Sequence, residues 1–140
     1  MKTKKIIALV FIIIVALGAA YTYYQYNRKP ANIKKENALI AVTATSLVED
    51  FNKNEQAANQ KYTDKIISVT GNVLHVQADV DGQVTVILES SDPLASVTCS
   101  FYKDEAPKVK NLTPGQQVRI KGVCTGKLMD VVLNKCSLQD

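Results

Sequence analysis

Three cysteines, one histidine and a close pair of aspartates are the residues of this chain with reactive or ligating side chains that stand out. Cys99, Cys124 and Cys136 are spaced 25 and 12 residues apart. No Cys-x-x-Cys occurs and no histidine lies near a cysteine in sequence, so a zinc site is not expected. A disulfide is the simpler chemistry. If the turn between Cys124 and Cys136 centres near Asp130, both are equidistant from it and oppose each other across a hairpin. Opposed residues meet the Cα separation of under about 7 Å that a disulfide requires. In a small exported domain such a link contributes about 2–4 kcal/mol. Cys99 is then a free thiol, buried between Val97 and Phe101. The alternative is three reduced core cysteines in a cytoplasmic-facing domain. Neither arrangement makes a reactive thiol, which wants a basic and partly open setting.

His75 sits between Leu74 and Val76 on a strand-like segment and is expected at the surface or a rim. No second base, nucleophile elbow or carboxylate pair can be placed beside it. Asp79-Val80-Asp81-Gly82 hints at calcium, but a twelve-residue calcium loop starting at Asp79 needs Glu at position 90, which is Ser90. A hairpin turn with Gly82 at positive φ accounts for it better. No catalytic residue, metal or cofactor is expected, and the chain reads as a non-enzyme.

These residues sit on a strand-rich scaffold. Ser46 followed by Glu49 reads as a capping box opening a helix. Leu47, Phe51, Ala58 and Tyr62 fall on one stripe of that helix, opposite Asn52, Lys53, Gln56 and Asn59. From Lys65 the apolar period changes to two. Ile67, Val69, Gly71 and Val73 mark a first strand to about Gln77, with a bulge or bend expected at Gly71. Val84, Val86 and Leu88 mark a second, and Val97, Cys99 and Phe101 a third. Val118, Ile120 and Gly122 mark a fourth, and 131–138 a fifth. Five short antiparallel-type strands behind one helix predict an all-β domain closed into a small barrel, because closure removes exposed edges.

Ahead of the domain the composition changes sharply. Met1–Lys5 carries three lysines, Ile6–Ala20 is uncharged, and four of the six tyrosines lie between 21 and 26. About twenty helical residues cross a hydrocarbon core of roughly 30 Å, and tyrosine rings suit the headgroup layer. Residues 1–26 are therefore a membrane anchor or uncleaved signal; a cleaved signal cut after Gly18-Ala19-Ala20 is the rival reading. Residues 27–42, with Pro30, read as a linker and 43–140 as the domain. Lys2, Lys4 and Lys5 hold the start in the cytoplasm, although Arg28, Lys29, Lys34 and Lys35 nearly balance them. The very short leading segment resembles a signal anchor, which places the domain on the extracytoplasmic (periplasmic) side.

The whole-chain charge of +4 belongs to this N-terminal region. Seven of the seventeen basic residues lie at or before Lys35, whereas of the thirteen acidic residues only Glu36 precedes position 43. Ten basic and twelve acidic residues remain, so the domain is near −2. Phosphate backbones are bound by clustered Lys and Arg, and no such surplus exists.

Asn54-Glu55, Ala57-Ala58, Lys61-Tyr62, Val69-Thr70-Gly71, and Gly115-Gln116-Gln117-Val118 leading to Lys121-Gly122 and Cys124 resemble the tRNA_anti-like group over about residues 43–139. These are small OB-fold domains of bacterial exported proteins, lipoproteins among them. The resemblance implies a five-stranded Greek-key OB barrel with a helix ahead of its first strand, and no particular activity. This chain lacks the lipid-bearing cysteine of the lipoprotein members. OB barrels commonly bind on strands two and three, here Thr85, Ile87 and Glu89 with Thr98, Ser100 and Tyr102. One aromatic and no cation equip that face poorly for single-stranded nucleic acid. A protein partner in the envelope or a small polymer fits it better, with single-stranded nucleic acid as the alternative.

Overall fold

The period-two segment that begins at Ile66 runs thirteen residues and organises the rest of the domain. In chain order the elements are α1 (Lys2–Tyr26), β1 (Ile40–Thr43), α2 (Ala44–Lys53), α3 (Glu55–Tyr62), β2 (Ile66–Ala78), β3 (Val84–Leu88), β4 (Val97–Phe101), α4 (Ala106–Val109), β5 (Gln117–Lys127) and β6 (Val131–Gln139). The computed structural model describes Lys2–Tyr26 and residues 33–140. Arg28, Lys29 and Pro30 of the expected linker lie outside them. Two compact units result, Met1–Ala31 and Asn32–Asp140.

In the first unit, Lys4–Tyr24 of α1 forms a twenty-one-residue stretch whose most apolar eighteen residues have a mean hydropathy of 2.5, long and apolar enough to cross a membrane. Its apolar side chains, from Ile6 to Leu17, are exposed all round rather than along one stripe.

In the second unit, β2, β3, β4, β6 and β5 pair in that order and β5 returns to β2, closing a five-stranded barrel. The β4–β6 pair is parallel and the other four pairs are antiparallel. This is the OB-fold topology. Alternation puts Val84, Val86 and Leu88 inward beside Val97, Cys99 and Phe101, as expected from the spacing. β1 is an added strand, parallel to the first half of β2 from Ile40↔Ile67 to Thr43↔Thr70.

The helical segment differs from its expected form. Thr43, at φ −84 and ψ 155, is the N-cap, and its hydroxyl accepts from Ser46 N, so Ser46 lies inside the helix rather than capping it. Asn54 then breaks the helix in two. It is extended, its N–H caps α2 on Asp50 O, and its Oδ1 accepts from Ala57 N to start α3. The predicted apolar stripe survives this break. Leu47, Phe51, Ala58 and Tyr62 are all buried, with the Phe51 and Tyr62 ring centroids 6.1 Å apart.

The expected bend in β2 also moves. The irregularity falls at Leu74, between the pairs Val73↔Leu88 and His75↔Ile87. Gly71 instead permits a close approach, since a Cβ there would lie 2.9 Å from Ala44 Cβ.

The described part of the expected linker, residues 33–42, is a folded strap. Ile33 is 1% exposed. Lys121 crosses under the strap, its Nζ donating to Glu36 O at 2.8 Å and Lys34 O at 3.2 Å. Lys34 in turn pairs with Asp104 and, at 2.6 Å, with Glu105. Glu105 is 2% exposed. Burial works to raise its pKa, yet Lys34, aided by Lys108, holds it below the ordinary carboxylate range. Replacing Lys121 by Met removes two charge-assisted bonds, each of about 1.5–3 kcal/mol at most, and frees the strap. Trypsin should then cut after Lys34 or Lys35 at least about tenfold faster, following the opening equilibrium. An unchanged cleavage rate would show that the strap is held by other contacts.

The cysteines correct the expected disulfide. Cys99, Cys124 and Cys136 are all free and buried. Cys99 is thus a core thiol, but Cys124 and Cys136 do not meet. The β5–β6 turn centres nearer Met129, with Lys127 opposite Val131, and a register shift between Cys124 and Gly126 sets Cys124 against Leu133. Lys135 at φ 54 then adds a bulge. By strict alternation from Leu133, position 136 would face outward; after the bulge it faces the core, where Cys136 pairs in register with Phe101. Burial, and the Cys99 sulfur beside it, push the Cys136 thiol well above its ordinary value. Burial also pushes Cys124 up. All three thiols are buried and serve as packing groups.

Candidate binding face

The outward positions of β3 and β4 meet in register, Thr85 beside Ser100 and Ile87 beside Thr98. All four are half-buried. β2 extends this strip with His75, opposite Ile87, and Gln77, opposite Thr85. His75 is exposed at the surface, as its position suggested. The result is a neutral strip of hydroxyls, one amide, one imidazole and one aliphatic side chain.

Glu89 and Tyr102 do not join the strip. Because β3 and β4 run antiparallel, Glu89 leaves at one end and Tyr102 at the other. Glu89 N donates to Asn72 O at 2.9 Å. Tyr102 is half-buried near Asp104 and Lys34; burial first, then the Asp104 charge, raise its phenol pKa.

Glu89 stands between two depressions. One, of about 350 Å³, is lined by Thr43, Thr45, Asn72, Ser90, Ser91 and Gln117. The other, of about 300 Å³, is lined by Leu74, Leu94, Asp130 and neighbours. Neither was visible in the periodicity. The available signal was the placing of Leu94, Leu128 and Met129 in turns, where polar residues are usual.

Many cations of the domain are already committed. Lys61 pairs with Asp50 at 2.9 Å, and Lys65 donates to the carbonyls of Gln60 and Lys61. Lys34 and Lys121 hold the strap. Asp79 is used within its turn, Oδ1 accepting from Asp81 N at 2.8 Å, with Gly82 at φ 77 as expected. Among the described residues no group of three or more His, Cys, Asp or Glu side chains is arranged to hold a metal ion.

Among three comparisons with known structures, the first supports the fold. A lipoprotein from Klebsiella pneumoniae, provisionally named as nucleic acid-binding, superposes with a TM-score of 0.59 at 16% identity, over 71% of this chain and 91% of that one. A replication factor A-related protein from Methanobacterium thermoautotrophicum gives a TM-score of 0.40 at 16% identity, over 56% of this chain and 84% of that one. An aspartyl-tRNA synthetase from Leishmania major, also provisionally named, gives 0.49 at 10% identity, over 86% of this chain and 25% of that one. No curated protein sequence matches. The sequence profile of the tRNA_anti-like family matches residues 1–138, so the chain belongs to the tRNA_anti-like family.

Proposed function

We propose that this protein is a membrane-anchored, extracytoplasmic OB-fold module that binds an envelope protein or a small polymer and catalyses nothing. The observation that carries this reading is the neutral strip formed by Thr85, Ile87, Thr98 and Ser100. A strip of that kind favours hydrogen bonding and apolar contact over neutralisation of phosphates. The exposed apolar helix α1 supports membrane attachment, and the lipoprotein name of the Klebsiella protein agrees with an envelope setting.

A photo-reactive amino acid at Ile87 or Ser100, introduced in living cells, should give discrete adducts that the same group at exposed Lys53 does not. Equal patterns at all three positions would remove the strip as a binding site. The Klebsiella name motivates a second reading, single-stranded nucleic acid. The full chain in neutral-lipid nanodiscs should show no saturable binding of labelled oligonucleotides even at low salt. Binding that weakens steeply with salt would replace the first reading with the second.

A further inference from the structure

At the Glu89 end of the strip lies a surface of different character. Leu74 (51% exposed) and Leu94 (83%) line the cleft of about 300 Å³. Leu128 (91%) and Met129 (78%) directly precede its rim residue Asp130 in the β5–β6 turn. Isolated exposed leucines are ordinary, but a cluster around one concavity is not.

The backbone builds this cluster. Leu74 is the extra residue of the β2 bulge, which turns it out of the barrel alternation and into the cleft. The β3–β4 connection is held by Ser90, whose hydroxyl donates to Ala95 O, and by Asp92, whose Oδ1 accepts from Leu94 N at 2.9 Å. The β5–β6 turn is tied to it. Asp130 Oδ1 accepts from Ser96 N at 2.8 Å, and Val131 N donates to Ser96 O at 3.0 Å. The loops that carry Leu94 and the Leu128-Met129 pair are therefore pinned together rather than free to bury these side chains.

Carboxylates share the same rim. Glu89, Asp92 and Asp130 all line the cleft. Glu89 is exposed, and among the described residues its carboxylate takes no hydrogen bond or ion pair. Asp92 and Asp130 orient the loops and retain further acceptor capacity, since a carboxylate offers about four lone-pair sites. Lys127 is close enough for its charge to act on Asp92, which leaves the rim net negative.

We propose that this cleft docks a segment of a partner protein in which a large apolar side chain is flanked by lysine or arginine. The proposal rests on the binding-module reading above and names the partner's chemistry. Apolar side chains in a concavity call for an apolar anchor, and the free Glu89 carboxylate calls for a cation beside it. The same carboxylates disfavour the other occupants. They repel an anionic bilayer and a nucleic acid backbone, and a second copy would bring an identical acidic rim against them.

The test uses the full chain in phosphatidylcholine nanodiscs and three fluorescein-labelled peptides, read by anisotropy. One carries Lys-Leu-Phe-Leu-Lys; one has both lysines replaced by glutamate; one has Leu-Phe-Leu replaced by serines. The first should bind saturably, and the other two at least about tenfold more weakly. Leu94→Ser combined with Met129→Ser should weaken the first peptide about tenfold or more, and Glu89→Lys should do likewise. These side chains are largely exposed, so the thermal midpoint should stay unchanged. Val80→Ser, an exposed apolar change in the β2–β3 turn, should have no effect. Equal binding of the glutamate peptide, or indifference to Leu94→Ser/Met129→Ser, overturns the proposal. Loss of peptide binding on Ile87→Asp, with the cleft variants silent, moves the site to the strip and leaves the binding-module reading standing. Oligonucleotide binding with no peptide binding rejects both. Preference for phosphatidylglycerol vesicles, or a dimer abolished by Met129→Ser, assigns the cleft to lipid or to a second copy and overturns this partner.

Discussion

Phe51→Ala should destabilise the domain by about 3–5 kcal/mol, the usual cost of emptying a buried aromatic site. Small domains hold only about 5–15 kcal/mol in all, so this single change removes a large share. Phe51 is 3% exposed and packs against Tyr62 within the same core that fills the barrel. The expected result tests whether α2 and α3 are integral to that core rather than an appendage. Tyr62→Phe is the internal control. It keeps the ring and deletes only the hydroxyl that donates to Asp50 Oδ2 at 2.6 Å. Asp50 is partly solvated and retains Lys61 at 2.9 Å, so the control should cost much less. Chemical denaturation of the micelle-solubilised chain, followed by circular dichroism, measures both. A loss under about 1 kcal/mol for Phe51→Ala would mean the helices pack peripherally.

Gly122→Ala is the second large expectation. A Cβ at 122 would lie 2.6 Å from Cys136 Sγ and 3.1 Å from Asn134 O. Overpacking of this kind costs about 1–3 kcal/mol, because the sulfur must shift inside a core that has no slack. The cause is specific and so is its remedy. Cys136→Ala removes the obstructing sulfur, and the double variant should be more stable than the sum of the two single losses implies. A coupling of about 0.5–3 kcal/mol in the double-mutant cycle is expected for groups in direct contact. Strict additivity would show that Asn134 O, not the thiol, sets the limit at this position.

Much of the architecture was legible in advance for a local reason. Val84, Val86 and Leu88 alternate, and so do Val97, Cys99 and Phe101. Period-two patterns of this kind need only neighbouring residues to be read. The stripe Leu47, Phe51, Ala58 and Tyr62 was equally readable, even though Asn54 divides its helix. What failed were inferences that needed a register. Cys124 and Cys136 looked opposed because alternation and a symmetric turn were assumed. The shift between Cys124 and Gly126 and the left-handed Lys135 undo both assumptions. Bulges leave little trace in sequence when, as at Leu74 and Lys135, no glycine or proline marks them.

The candidate surfaces divide in the same way. Thr85, Ile87, Thr98 and Ser100 could be placed on one face from strand parity, and they meet there. Glu89 and Tyr102 followed the same parity but lie past the strand ends, where parity no longer governs direction. The cleft with Leu74, Leu94 and Asp130 required a strand bulge and two loops to converge.

The amino-acid order alone was enough to establish the apolar N-terminal helix, the five strands that form the barrel wall and the absence of a basic surplus in the domain, but not the added strand β1. Each of these rests on composition or on spacing within about a dozen residues. The strap, the cysteine environments and the two depressions came from the folded chain. They depend on partners such as Lys34 with Asp104 and Lys121 with Glu36, which are 70 and 85 residues apart. Contacts at such separations are set by barrel closure and strand register, and no local pattern of side chains encodes those by itself.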